Sequence, residues 1–215
     1  MIHSMDDLAQ AIQYYGILPF FTNRVSGWSV EEMCDPAVYF TDQPGPWEGK
    51  GPLASEKKCV YGKFILNKAA FISPEWFPDL ANYRRDGYAW DERVEDGLVP
   101  YKDRLLMTYL ESHPYVLSKY AKRECGFSKG YDTVLTRLQM QTYIVTSDFQ
   151  YSVSRAGVPY GWGNAVIEIA DRWLGEDFWS IQNERGPEES FERMIVHLKQ
   201  AVPNADEALL RKELK

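Results

Sequence analysis

Few residues in this chain carry the types and spacing that chemistry needs. Arg84-Arg85 is an adjacent pair of cations that either binds a phosphate or closes a helix by complementing its dipole. Asp86, Asp91, Glu92, Glu95 and Asp96 form an acidic run that either binds a cation or is a solvated face. Trp47, Trp76 and Trp162 offer flat rings, which stack on an extruded base or pack a core. Cys59 and His113 are the one Cys–His combination weighed for nucleophilic catalysis. His3, His113 and His197 lack metal-ligand spacing, and Cys34, Cys59 and Cys125 make no CxxC, so no metal site and no cofactor is expected. No P-loop or GxGxxG occurs; residues 157–163 are a polar, Gly-containing loop.

The elements that must position these residues follow from pattern. Ser4-Met5-Asp6-Asp7 predicts a helix start with Ser4 as N-cap, Leu8 and Ile12 on one face and Gly16 as the stop. Ser29-Val30-Glu31-Glu32 predicts a short capped helix that Pro36 ends. Residues 41–52, with three Pro and three Gly, read as an ordered loop. Residues 59–66 and 69–73 predict a β-hairpin turning at Asn67-Lys68. Ser73-Pro74-Glu75 predicts a second helix start, with Pro74 at its first position.

The middle of the chain is the most organised. Residues 102–111 place Leu105, Leu106, Tyr109 and Leu110 at helical spacing, and His113-Pro114 breaks the run. Helices are predicted over 117–125 and over 133–141, the latter with Asp132 as N-cap and Leu135 and Leu138 inward. Strands are predicted over 143–151 and 165–169, joined by a polar loop over 152–163. Three short helices and then a hairpin is the order of a winged helix-turn-helix. In that arrangement the third helix enters the major groove and the hairpin tip touches the backbone beside it. Thr133, Thr136 and Arg137, with Met140, would lie on the outer face of the third helix, and Arg155 on the hairpin tip. Lys119, Lys122, Arg123 and Lys129 surround the second helix and the turn after it.

After the hairpin, Gly186-Pro187-Glu188-Glu189 opens a helix with Phe191, Met194, Ile195 and Leu198 on one face and His197 beside that stripe on the surface. Asn204 with Glu207 would cap a last short helix. The expected fold class is therefore α+β: a winged helix-turn-helix over 101–170, an N-terminal helix and β-hairpin subdomain over 1–100, and a C-terminal helical tail over 171–215 that packs on the body.

The 215 residues can bury a sizeable core, and an aromatic content of 14% argues against disorder. The formal net charge of −7 counts against a protein that coats nucleic acid by bulk charge. Its distribution is uneven. Residues 1–100 carry a net −6 and residues 166–215 a net −4, while residues 101–165 hold 8 basic and 5 acidic residues, a net +3. The one basic segment is the one patterned as a DNA reader. An odd cysteine count, no signal pattern and no apolar run near 18 residues fit a cytoplasmic chain with no membrane segment.

Trp47-Glu48-Gly49-Lys50, Tyr61-Gly62-Lys63-Phe64, Trp76-Phe77-Pro78 and Asn82-Tyr83-Arg84-Arg85, with the stretch from Thr136 to Tyr143, resemble short bacterial proteins related to AlkZ, the winged-helix DNA glycosylase that excises alkylated or crosslinked bases. The resemblance runs over most of the chain. It implies a winged-helix fold, a link to DNA repair and duplex DNA as partner. It also implies that Gln139-Met140-Gln141 matches the Gln-apolar-Gln pattern that positions the attacking water in those glycosylases, which makes Gln139 and Gln141 candidate catalytic residues. Two departures stand against that transfer: the glycosylases are much longer, with tandem winged helices, and their motif lies early in the chain. Three readings remain open: a DNA-binding winged-helix protein linked to repair, a glycosylase acting on alkylated bases, and an interaction module that holds a protein or small ligand without nucleic acid. Protein partners are not legible.

Overall fold

Local sequence chemistry sets most of the element boundaries. The computed structural model of the protein describes residues 1–39, 45–157, 159–175, 178, 180 and 184–215, and the side chains of all of these except 159, 160 and 162. Helix α1 (Met5–Tyr15) starts at Ser4, whose hydroxyl accepts from the Asp7 N–H; it buries Leu8 and Ile12 and ends at Gly16 with φ of 67°. Strand β1 (Ile17–Pro19) follows, wholly buried. Ser29 caps α2 (Val30–Met33). Pro36, expected to end that helix, instead opens α3 (Pro36–Tyr39).

Part of the stretch expected as a loop over 41–52 is helical: α4 spans Pro46–Ser55, and residues 41–44 lie outside the described ones. Pro46 sits at the first position, where its missing N–H costs nothing, and the Glu48 carboxylate returns to the Gly45 N–H at 3.4 Å. The glycines mark close packing: a Cβ on Gly49 would lie 3.2 Å from Met5 Cγ. The hairpin forms from β2 (Val60–Ile65) and β3 (Lys68–Ile72), but its turn sits one residue earlier than expected. Leu66 and Asn67 both take positive φ, 52° and 60°, as a two-residue turn between right-twisted strands requires. Helix α5 (Phe77–Arg85) starts three residues after Pro74, so Pro78 supplies the early proline. The acidic run falls largely on α6 (Trp90–Glu95), which the sequence pattern did not reveal.

The three middle helices are α7 (Tyr101–Ser112), α8 (Ser118–Glu124) and α9 (Tyr131–Met140). Between the first two lies a short strand, β4 (Val116–Leu117), which the sequence pattern does not announce. Gly130, with φ of 82°, is the N-cap of α9, so Asp132 falls in the first turn rather than at the cap. Strands β5 (Ile144–Val153) and β6 (Pro159–Ile169) extend into the segment expected as a loop, pairing as far as Val153 with Pro159. Then come α10 (Ala170–Leu174), α11 (Pro187–Ala201) and α12 (Glu207–Leu214). The last is capped by Asp206, whose carboxylate accepts from the Ala208 and Leu209 N–H groups, and not by Asn204.

The strands form one sheet in the order β1-β3-β2-β5-β6-β4, and each pairing is antiparallel. The pairing of β2 with β5 consists of one register position, Tyr61 opposite Thr146. Buried apolar residues fall into two clusters. One gathers α1, β1 to β3, α5, α11 and α12; the other gathers α7, α8 and α9 with Ile144 and Ile167. Val145 belongs to the first cluster and its neighbour Ile144 to the second, as the two-residue alternation of a strand dictates. Strand β5 is thus a wall shared by both cores. Among the described residues no helix is long and apolar enough to cross a membrane.

Candidate nucleic-acid interface

Helix α9 buries Val134, Leu135 and Leu138 and turns its other side to an open cleft of about 840 Å³. Thr133, Thr136, Arg137, Met140 and Gln141 form one wall, so the structure does gather the residues expected on the outer face of this helix. The opposite wall comes from the first and last parts of the chain, with Tyr83, Arg84 and Lys215. Asp86 and Asp132 also line it.

These side chains differ in what they are already bound to. Thr133 is exposed. Thr136 Oγ1 accepts from Lys63 Nζ at 3.1 Å. Arg137 grips Asp103 of α7 through both carboxylate oxygens, with Nε to Oδ2 at 2.7 Å. Asp103 is 1% exposed and Arg137 38%, so the pair braces α9 on α7 while part of the guanidinium stays open. The mutual hydrogen bonding holds Arg137 more firmly protonated than an ordinary arginine.

Gln139 faces inward. Its Nε2 donates to Thr146 Oγ1 at 3.0 Å, and its Oε1 accepts from the Lys63 backbone N–H at 3.1 Å. The amide therefore spans β2 and β5 where their backbone pairing is limited to one position. It takes up a strand-edge N–H that a longer ladder would have satisfied. Gln141, by contrast, is half-buried on the cleft wall.

The remaining expected contacts lie elsewhere. Lys119 and Lys122 on α8, Lys129 on the loop before α9 and Arg155 on the β5–β6 turn lie outside the cleft, and all four are exposed. Lys129 lends its carbonyl to Lys102 Nζ at 3.2 Å.

The other candidates resolve mostly into structure. Arg85 is wholly buried: Nη2 meets Asp171 Oδ1 at 2.6 Å and the Thr142 carbonyl at 2.9 Å, and Nε donates to Thr142 Oγ1. Arg84, one residue earlier, donates from Nη2 to the carbonyls of Phe64 and Leu214. Cys59 lies in the first core, where burial pushes its thiol well up, while exposed His113 bonds the Tyr109 carbonyl through Nδ1. The Cys–His pairing is thereby dissolved. Trp76 stacks on His197 at 4.3 Å between ring centres, so this histidine is more than a surface residue of α11. Trp47 packs edge-on to Phe20, and the Trp162 side chain lies outside the described ones. Glu92 of the acidic run caps the Ala89 N–H, and no group of three or more metal-binding side chains occurs among the described residues.

Sequence pattern missed Lys50. It is 4% exposed, with Nζ 4.0 Å from the Trp47 ring centre and 4.8 Å from that of Phe149. Burial lowers its pKa to about 8. The one available signal is its setting between Gly49 and Gly51, which brings neighbouring chains close on both sides.

Among known proteins, a family model described as AlkZ related matches residues 2–215. No curated protein and no solved structure matches the chain.

Proposed function

The chain belongs to the AlkZ-related family, and on that premise we propose that it is a DNA-binding protein linked to DNA repair, reading duplex DNA through a winged helix-turn-helix over residues 101–170. The observation that carries this reading is β4. It pairs with β6, Val116 opposite Ile167, so the segment runs helix, strand, helix, helix, hairpin over a three-stranded antiparallel sheet in the order β5-β6-β4. That topology favours α9 as the reading helix and the β5–β6 turn as the wing.

In this reading Thr133 and the open part of Arg137 face the groove, while Lys119, Lys122, Lys129 and Arg155 meet phosphates. Thr136 acts through its bond to Lys63. Three free cysteines suit a reducing cytoplasm. The test is fluorescence anisotropy with a duplex oligonucleotide over a range of salt. Lys122→Ala and Arg155→Ala should each weaken binding and reduce the salt slope by about one. No wild-type binding at about 50 mM salt sinks the proposal.

Base excision is a narrower second reading, favoured by one observation: Gln141 lines the cleft. Gln139 has both ends of its amide engaged, which leaves Gln141 as the glutamine able to orient a water there. Release of an alkylated base by the wild type and its loss in Gln141→Ala would support excision. No release across a panel of alkylated duplexes leaves binding alone.

A further inference from the structure

Arg84 is an arginine without an anion. Its Nη2 donates to two neutral acceptors, the Phe64 carbonyl at 3.1 Å and the Leu214 carbonyl at 2.8 Å. Its Nε is sealed from solvent and has no acceptor among the described residues. Among those residues no carboxylate lies within ion-pair distance of it, and Nη1 has no acceptor. A guanidinium keeps its charge and brings five donors, and a donor or charge removed from water without a partner is costly. Arg85 shows what the same fold does for a buried arginine that only braces the core. It supplies Asp171 in a two-pronged pair. Burial without such a partner lowers the Arg84 pKa to about 10.

Arg84 lines the cleft it shares with α9, so the cleft is where an anion can complete it. Lys215 lines the same cleft and is exposed. Thr133 adds a hydroxyl from the facing wall. Arg137 is there too, but Asp103 already neutralises it. Asp86 and Asp132 offset the combined charge of Arg84 and Lys215, so the cleft does not steer anions from afar. It can favour one only by direct contact. At about 840 Å³ it has volume for far more than an isolated anion, enough for a sugar and base attached to a phosphate.

We propose that Arg84 anchors a phosphate group of a nucleic-acid strand in the cleft between α5 and α9. Nη1 is the donor left to meet a phosphate oxygen, because Nη2 is committed to two carbonyls and Nε is sealed, and the guanidinium charge strengthens that contact. The inference rests on the DNA-binding reading for the source of the phosphate, and on the cleft alone for the phosphate itself.

Two titrations separate these. Phosphorus NMR with inorganic phosphate asks whether the cleft takes the anion; anisotropy with a duplex asks whether the anion belongs to a strand. Arg84→Gln should abolish phosphate binding and reduce the salt slope of duplex binding by about one, while Lys58→Gln, on an exposed residue outside the cleft, should leave phosphate binding intact. Arg84 also holds two backbone carbonyls, so Arg84→Gln could fail to fold; Lys215→Gln, on an exposed residue, should then weaken both titrations in the same sense. Phosphate binding that is lost in Arg84→Gln without any wild-type duplex binding keeps the phosphate site and overturns the strand as its source. Duplex binding with an unchanged salt slope in Arg84→Gln, and no phosphate binding by the wild type, overturns the inference and leaves the DNA-binding reading standing.

Discussion

At the scale of single residues, the informative contrast is between neighbours. Arg84 and Arg85 are indistinguishable in sequence, yet one residue on a helix turns the side chain by about 100°. One therefore faces a cleft and the other a core. No local pattern predicts that Asp171 and Thr142 wait for Arg85, because they lie 86 and 57 residues away. Gln139 is the same case: its partners are Lys63, 76 residues before it, and Thr146. Gln139→Ala should lower stability by about 2 kcal/mol, since it strands a part-buried N–H and a buried hydroxyl. Urea unfolding measures this, and a variant as stable as the wild type but unable to release a base would return Gln139 to the catalytic reading. Lys50 gives a pH signature. Its folded pKa of about 8 lies below the ordinary lysine value of 10.5, so between those values the unfolded chain binds the proton more tightly. Stability should rise with pH from about 8 to about 10, and below 8 the full penalty remains. Lys50→Met should raise stability at pH 7 by about 2 kcal/mol and remove that rise. Equal unfolding midpoints for the two proteins at pH 7 would contradict it.

At the scale of elements, capping chemistry decides locally what is legible. The starts of α1 and α11 and the helical stripes of α7 and α9 follow from Ser4, from Pro187 and from apolar spacing. Pattern misleads at α4, where Gly and Pro suggest a loop. Those residues are there for a different reason: Pro46 opens the helix, and two glycines let it press against α1 on one side and β5 on the other. The two glycines should therefore respond differently to alanine. Gly51→Ala meets Asp148 and Phe149 at an ordinary 3.6 Å and should be neutral or gain about 0.5 kcal/mol from helix propensity. Gly49→Ala crowds Met5 at 3.2 Å and should gain less or lose. Gly16→Ala should be clearly destabilising, because its φ is 67° and a Cβ would sit 2.5 Å from the Trp76 ring. Thermal melts of the three variants give the order directly; Gly16→Ala melting with the wild type would refute the packing argument. Strand β4 is not legible because two residues carry no periodicity, and pairing with β6 is what makes them a strand.

At the scale of the whole molecule, three segments were expected, and the structure joins them more tightly than their sequence patterns suggest. Strand β5 is a wall for both cores, with Ile144 on one side and Val145 on the other. A fragment of residues 101–170 cut from the rest would bare the Val145 side and lose the Lys63 bonds to α9. It should express as an aggregated or poorly ordered chain, as circular dichroism and size exclusion would show; a monomeric fragment with a cooperative melt would establish an independent domain. The net −7 acts at this scale as well. It leaves the proposed duplex binding to local contacts, so affinity should be modest and should fade at physiological salt.

The single backbone pairing between β2 and β5 makes the sheet mechanically uneven. A load applied along it concentrates at that seam, where one rung and one glutamine amide resist what eight register positions resist between β5 and β6. The sheet should therefore part at this seam, the β2–β3 hairpin staying with the first core, before the β5–β6 ladder opens. Amide hydrogen exchange would show it: the Lys63 proton should exchange through this partial opening, sooner than the protons within the β5–β6 ladder.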